Sequence, residues 1–392
     1  VNSHFSFKAL CRFSAVLLGL AMASSAQAQM PVLLYHAHPN LGYVEANFTR
    51  DMDFLVANDY KAITPDEFMA WKNDNAPLPM RPVLLTVDDN YILVYTSMWP
   101  ILQARGLKIV NFTISASVGQ TAGLHYCSWA QINQMEQSGA IISESHTVTH
   151  PHLSTLTRTQ QRAEVVNSRA ALNSNMPGKN CKFIAYSYGD YNAITLEECA
   201  TAGYTGGFVV GGGINTHDTP DLELQRKQVD TVTFDRFKDD LGFTAFQTAP
   251  GPGWVMDDSD VHFYADETQW PVIAGSSQAG GSGRIHVAGA GAPAEWSAFV
   301  PRPGVYRVHA RWSSVPARSS AATYTVNHAG GSTSYLVNQR INGDVYNLLG
   351  EVQFTTAQAA RVSLAPASDG SVNADAVWLE FVSSGVNEWG LY

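Results

Sequence analysis

Between residues 29 and 247 short apolar runs alternate with helical patterns, and from about residue 254 the apolar period drops to two. No single layered architecture accommodates both, so the chain must build two domains of different class. In the first stretch, Pro31 to Tyr35, Val83 to Val87, Lys108 to Ile114, Ala140 to Ser143, Lys182 to Tyr186 and Gly207 to Val210 read as strands. Helical spacing lies between them, as in Phe48 to Asn58, Trp129 to Ser138 and Thr159 to Leu172. This order is that of parallel βα units, and it predicts a barrel-like sheet.

In the second stretch, Tyr306, Val308, Ala310 and Trp312 alternate with Arg307, His309 and Arg311, the pattern of a half-buried antiparallel strand. Similar runs at Thr323 to Val326, Glu351 to Phe354, Arg361 to Leu364 and Ala376 to Phe381 predict a β-sandwich. The run Thr248 to Gly253 is rich in Pro and Gly and reads as a linker. The resulting division is a barrel over 29–247, a linker over 248–256, a sandwich over 257–382 and a tail over 383–392.

The first 28 residues have the layout of an export signal. Lys8 and Arg12 precede the apolar run Phe13 to Met22, and Ala26-Gln27-Ala28 offers a small-residue cleavage site. The expected mature chain begins at Gln29 and is secreted or periplasmic, and no later segment is long and apolar enough to cross a membrane. Cys11 leaves with the signal. Cys127, Cys181 and Cys199 then allow at most one bridge in an oxidising compartment, with Cys181 and Cys199 the preferred pair. A formal charge of -10 with only 15% charged residues provides no basic stripe. Nucleic acid and anionic membrane surfaces are poor partners for such a chain, and a neutral substrate suits it better.

The residues with chemical potential cluster at three predicted strand ends of the first domain, where side chains of a parallel barrel do their work. Asp88 and Asp89 follow Val83 to Val87, His146 and His150 follow Ala140 to Ile142, and Tyr186-Ser187-Tyr188-Gly189 closes a later strand. Taken separately, an Asp pair after a strand is often a turn with a helix cap, and two His four apart are often a solvated helix face. Jointly, two imidazoles and one carboxylate make three ligands for a divalent ion with positions left open, and the other carboxylate remains free as a base. Such a ligand set suits zinc foremost, and cobalt, nickel or iron as well.

The order of these motifs resembles the polysaccharide deacetylases of the NodB-homology type, carbohydrate esterase family 4. Val32-Leu33-Leu34-Tyr35-His36 is similar to the family's opening strand, and Thr86-Val87-Asp88-Asp89-Asn90 to its Thr-Phe-Asp-Asp-Gly motif. Ser145-His146-Thr147-Val148-Thr149-His150 is similar to its Ser-His-Thr-x-x-His motif, and Ala185-Tyr186-Ser187-Tyr188-Gly189 to its third motif. The resemblance implies a deformed (β/α)7-type barrel that removes acetyl groups from N-acetylated sugars. In that scheme Asp89, His146 and His150 hold the metal, Asp88 is the general base, and the backbone N–H of Tyr188 meets the charge developing on the acetamide oxygen.

The chain departs from the family in four places. Asn90 stands where Gly is usual, Ser187 where Pro is usual, and Ala185 where many members carry the Arg that orients the base. Arg226 is either that Arg supplied from a later strand or a solvated strand charge. No Leu-x-x-His motif follows, so the usual general acid is missing, and His217 in its Thr-His-Asp-Thr-Pro loop is a poor substitute. The second domain resembles the golvesin C-terminal-like domain, through Glu295-Trp296, Gly304 to Val308, Tyr324 to His328 and Ala374 to Val377. It is expected to hold the protein near a polymer. Trp296, Trp312 and Trp378 are expected to be buried rather than to stack on sugars.

Together these readings predict a secreted metal-dependent deacetylase of N-acetylglucosamine-containing polysaccharides or oligosaccharides. An acetyl xylan esterase and a glycan-binding protein with weak turnover are the alternatives.

Overall fold

The computed structural model describes residues 30–242, 249–275 and 278–384. The predicted export signal, Cys11, Thr248 and residues 385–392 of the predicted tail lie outside the described residues.

Among the described residues, nine strands belong to the first part of the chain. They are β1 (Val32–His36), β2 (Lys61–Ala62), β3 (Leu78–Pro79), β4 (Pro82–Asp88), β5 (Ile109–Thr113), β6 (Ile141–Ser145), β7 (Phe183–Ala185), β8 (Gly206–Phe208) and β9 (Lys227–Gln228). The parallel sheet runs β8-β7-β6-β5-β4-β1-β9, with β2 added beside β4. Leu224 bridges to Phe208 in parallel just before β9, so the two edges of the sheet meet in a barrel. Every residue of β4 is buried, as expected of a parallel strand covered on both faces. Leu33, Tyr35, Leu85, Val87 and Ile141 pack outward against the surrounding helices. Val32, Leu84, Val110, Phe112, Phe183 and Phe208 fill the interior.

Helices flank the sheet as α1 (Glu45–Ala57), α2 (Pro65–Asp74), α3 (Trp99–Arg105), α4 (Trp129–Gln137), α5 (Arg158–Asn175), α6 (Ala193–Ala202) and α7 (Phe234–Asp240). The sequence pattern anticipates α1, α4 and α5. It misses α2, which starts where Thr64 and Glu67 form a reciprocal capping box with Pro65 at the first turn.

The second part is antiparallel. Its strands are β10 (Gly253–Asp257), β11 (Phe263–Tyr264), β12 (Val272–Ala274), β13 (Ser282–His286), β14 (Ala294–Phe299), β15 (Gly304–Arg311), β16 (Ala322–His328), β17 (Gly331–Val337), β18 (Asn347–Phe354), β19 (Ala360–Leu364), β20 (Val372–Ala374) and β21 (Ala376–Ser383). One sheet runs β10-β21-β15-β18 and another β11-β14-β19-β16-β17, with β12-β13-β20 as a smaller third. Tyr306, Val308 and Ala310 from the first sheet meet Trp296, Tyr324 and Val362 from the second in one core. The alternation of β15 is therefore read correctly. Trp296, Trp312 and Trp378 are all buried and offer no ring to solvent.

Two boundaries differ from the sequence reading. Residues 253–256, placed in the linker, belong with Asp257 to a strand paired along its whole length with β21, because Pro and Gly end at the strand's first residue and Trp254 to Asp257 are buried. Leu78–Pro79, placed in the barrel, pairs in parallel with Ala298–Phe299 of the sandwich. The two parts are thus joined by backbone as well as by side chains. Trp71 donates its indole N–H to the Val261 carbonyl at 2.8 Å, and Val261 sits with Phe68, Trp71 and Leu78 at the floor of the barrel interior. Because β3 leads into the N-terminal end of β4, this floor lies opposite the strand ends that carry Asp88 and Asp89.

The three remaining cysteines are buried and free, so the preferred Cys181–Cys199 bridge is corrected. Cys181 points its thiol at the Phe183 carbonyl, while Cys199 lies on α6 against the Tyr186 hydroxyl, so the two thiols have separate partners.

Candidate active site

Asp88 ends β4, and Asp89 turns away from it with φ 77. Its backbone N–H stays tied to the Phe112 carbonyl of β5 at 3.0 Å. Asn90 follows with φ 49 where the related motif has Gly. Asn tolerates the left-handed region, and here its side-chain oxygen accepts the Ile114 N–H at 3.0 Å. From the end of β6, His146 donates its backbone N–H to Thr113 at 2.9 Å. The following loop is fixed by Glu164 of α5, which accepts Val148 N–H, Thr149 N–H and the Thr149 hydroxyl at 2.7 to 2.9 Å.

Asp89, Asn90, Thr147, His150 and Tyr188 all have positive φ; these are five of the nine non-glycine residues so found among the described residues. Such conformations cost on the order of 1–3 kcal/mol each and persist where the surroundings over-determine them. Ser187 explains part of that support. Its hydroxyl meets the Thr147 hydroxyl at 3.1 Å, and the Thr147 hydroxyl accepts the His150 N–H at 3.0 Å. The Ser that replaces Pro thus ties the third motif to the His turn.

Asp89 Oδ1 lies 3.5 Å from both His146 Nε2 and His150 Nε2, and one ligand atom from each of the three residues falls within 4.8 Å of the others. His146 donates its Nδ1 proton to the Ala185 carbonyl at 2.8 Å, which leaves the Nε2 lone pair facing Asp89. Burial lowers the pKa of both His146 and His150, favouring the neutral, ligating form. Asp89 Oδ1 is buried and has no hydrogen-bond partner, and burial pushes its carboxyl upward. A buried carboxylate oxygen without a donor, faced by two imidazole lone pairs, fits a divalent cation.

Asp88 has a different partner. Arg226, fully buried, forks onto it from the segment before β9, with Nη1 at 2.7 Å from Oδ1 and Nη2 at 2.8 Å from Oδ2. Burial would raise the Asp88 pKa, but the guanidinium overrides it and holds the carboxyl well below the usual carboxylate range. Arg226 is therefore not a solvated strand charge. Its fork onto Asp88 is the contact that the family resemblance leads one to expect of the Arg missing at Ala185.

His36 is the residue whose role the sequence does not disclose. It ends β1 opposite Asp88, and its Nδ1 meets Asp230 Oδ2 at 2.9 Å while its backbone N–H donates to Asp230 Oδ1 at 2.7 Å. Burial opposes its charge, but Asp230, Asp88 and Asp89 together raise its pKa. The His36 side chain keeps 18% exposure, so Nε2 remains reachable. Asp230 lies far along the chain, and only the β1–β9 pairing brings it here. His217, by contrast, packs at a tilt against Trp71 at the barrel floor, away from this cluster.

Of the aromatic residues near the motifs, Tyr43, Tyr91 and Tyr186 are buried. Tyr188 is 61% exposed, with its ring 4.4 Å from that of His150 and stacked on His152 at 4.2 Å.

The chain is similar to known proteins in both of its parts. Residues 75–207 match the family described as "Polysaccharide deacetylase", and residues 254–381 match the "Golvesin C-terminal domain". YxkH of Bacillus subtilis (strain 168), named as a polysaccharide deacetylase, is 32% identical over 205 residues, covering 52% of this chain and 72% of that protein. The xanthan lyase of Bacillus sp. (strain GL1) is 28% identical over 141 residues, covering 34% of this chain and 15% of the lyase. Among solved structures, IcaB from Ammonifex degensii is 25% identical, covering 55% of this chain and 97% of that one with a TM-score of 0.49.

Proposed function

The chain belongs to the polysaccharide deacetylase family, and from that premise we propose a secreted, metal-dependent enzyme. It hydrolyses N-acetyl groups of N-acetylglucosamine-containing glycans such as chitin oligosaccharides, poly-N-acetylglucosamine or peptidoglycan. The observation that carries the reading is the division of labour between the two neighbouring carboxylates. Asp89 faces two imidazoles at 3.5 Å, while Asp88 is held ionised by Arg226 and stands 3.7 Å from His146 Nε2.

Bound by Asp89, His146 and His150, a divalent ion such as zinc supplies Lewis-acid chemistry, acidifying water and polarising a carbonyl oxygen. Asp88 accepts a proton from the water that attacks the acetamide carbon, and Arg226 keeps both carboxylate oxygens in place. The Tyr188 N–H donates to the oxygen on which negative charge develops. His36, whose pKa Asp230 raises against the opposing effect of burial, gives its proton to the nitrogen as the carbon–nitrogen bond breaks. The products are acetate and a free amino sugar.

The same site could attack acetylated xylan, but a departing amine needs a proton more than a departing alcohol does. The His36–Asp230 pair therefore favours the amide reading, and it fills the acid role whose absence supports a binding-only protein. The test is acetate release by zinc-, cobalt- or nickel-loaded protein from N-acetylated glycans and from acetylated xylan. Release from the N-acetylated glycans is expected, and release from xylan alone overturns the assignment.

A further inference from the structure

Beyond the catalytic cluster, the face of the sandwich turned toward the barrel floor holds a second concavity. On β11, β14 and β19, Tyr264 pairs with Glu295 and Ser297 with Arg361 across the sheet, while the alternating Phe263 and Trp296 point into the core. Opposite them stand Asn75 and His217 from the barrel. Two adjoining cavities of about 580 and 280 Å³ lie between, and both are lined by Asn75, His217, Phe263 and Tyr264. The larger is within the ordinary range of small-molecule sites.

Three features say what this cleft is built to take. Tyr264 is 50% exposed, and among the described residues only Tyr188 at the candidate active site presents another aromatic ring so openly. Ser297 lines the larger cavity with 8% exposure, and its buried hydroxyl has no hydrogen-bond partner. His217 donates its Nδ1 proton to the Lys72 carbonyl, 2.9 Å away, which leaves Nε2 of the neutral ring as an acceptor at the cleft. Arg361 pairs with Glu295 at 2.9 Å and Lys72 with Asp221 at 2.6 Å, while Asp74, Asp218, Asp258, Asp260 and Glu267 also line the two cavities, with Arg284 as a further cation. Acidic side chains outnumber basic ones along this lining, so an anion is disfavoured there. One aromatic face, a free hydroxyl and a free imidazole acceptor suit an uncharged ring rich in hydroxyl groups.

We propose that this junction cleft is a second, non-catalytic glycan site that holds one or two neutral pyranose units. It lies at the N-terminal end of β4 while the catalytic cluster lies at the other, a separation on the order of 20 Å along the strand. The buried Trp296, Trp312 and Trp378 take no part, so the sandwich holds glycan only jointly with the barrel. The inference rests on the proposed function only in the choice of probe.

The experiment is calorimetric titration of the full, metal-stripped chain with N-acetylchitotetraose and cellotetraose. Acetate release by the metal-loaded protein is recorded in parallel. Tyr264→Ala is expected to weaken binding of at least one oligomer about tenfold, Tyr264→Phe to keep it, and acetate release from a short soluble substrate to stay unchanged. Ser297→Ala, a nearly isosteric change, repeats the test should Tyr264→Ala fail to fold, with a loss of roughly three- to tenfold expected. Neither oligomer binding, or both binding equally to wild type and to the variants, overturns the proposal. Tyr264-dependent binding without any acetate release refutes the catalytic reading and leaves the cleft standing. Acetate release without Tyr264-dependent binding does the reverse.

Discussion

Arg226 grips Asp88 with two nitrogens, at 2.7 and 2.8 Å, across 138 positions of sequence and with neither side chain meaningfully exposed. Removing either partner leaves a buried charge alone. Arg226→Ala is therefore expected to cost about 3–5 kcal/mol of stability, read as a lower denaturant midpoint. Arg226→Lys rescues little, because an ammonium cannot fork.

Asp88→Asn keeps the shape of the site and removes the base. Acetate release should fall by roughly 10²–10⁴-fold, with metal content, measured by elemental mass spectrometry, unchanged. Asp89→Ala should lose both, since its carboxylate is one of the three ligands in the proposed set.

His36 is expected to act as an acid, so activity falls as pH rises through its pKa. The hydrogen bond to Asp230 raises that pKa. In Asp230→Asn the alkaline limb of the pH–rate profile should move to lower pH, whereas the acidic limb should stay. An unmoved alkaline limb would remove His36 from the mechanism.

The sandwich carries its own pH dependence. Burial pushes the Asp258 carboxyl up to about 9, with neighbouring Asp257 adding to the effect, and pushes Asp375 up to about 8. These groups bind protons more tightly folded than unfolded, where carboxyls titrate near about 4. Their contribution to stability is full below pH of about 4 and is lost as pH rises toward 8 or 9. Asp258→Asn, which stays neutral, should flatten the decline in Tm over that range and melt higher than wild type at pH 8.

Much of this was legible in the sequence because it is local. Asp88, Asp89, His146 and His150 sit next to apolar strands that announce themselves, and the period of two in β15 fixes which side chains face the core. What the sequence hides depends on closure of the barrel. Asp230 reaches His36, and Arg226 reaches Asp88, only because the segment around β9 comes back beside β1. A two-residue strand such as β3 has no period to read, so its loan to the sandwich sheet was equally invisible.

The proposed function requires that Asp89, His146 and His150 hold one divalent ion and that this ion, with Asp88, is needed for deacetylation. Its most direct test is to strip the protein of metal and follow acetate release from an N-acetylated oligosaccharide during titration with zinc. No release is expected at the start, followed by a rise that ends at about one equivalent, with Asp88→Asn taking up the same equivalent and staying inactive. Full release from the stripped protein, or none after one equivalent is bound, would contradict it.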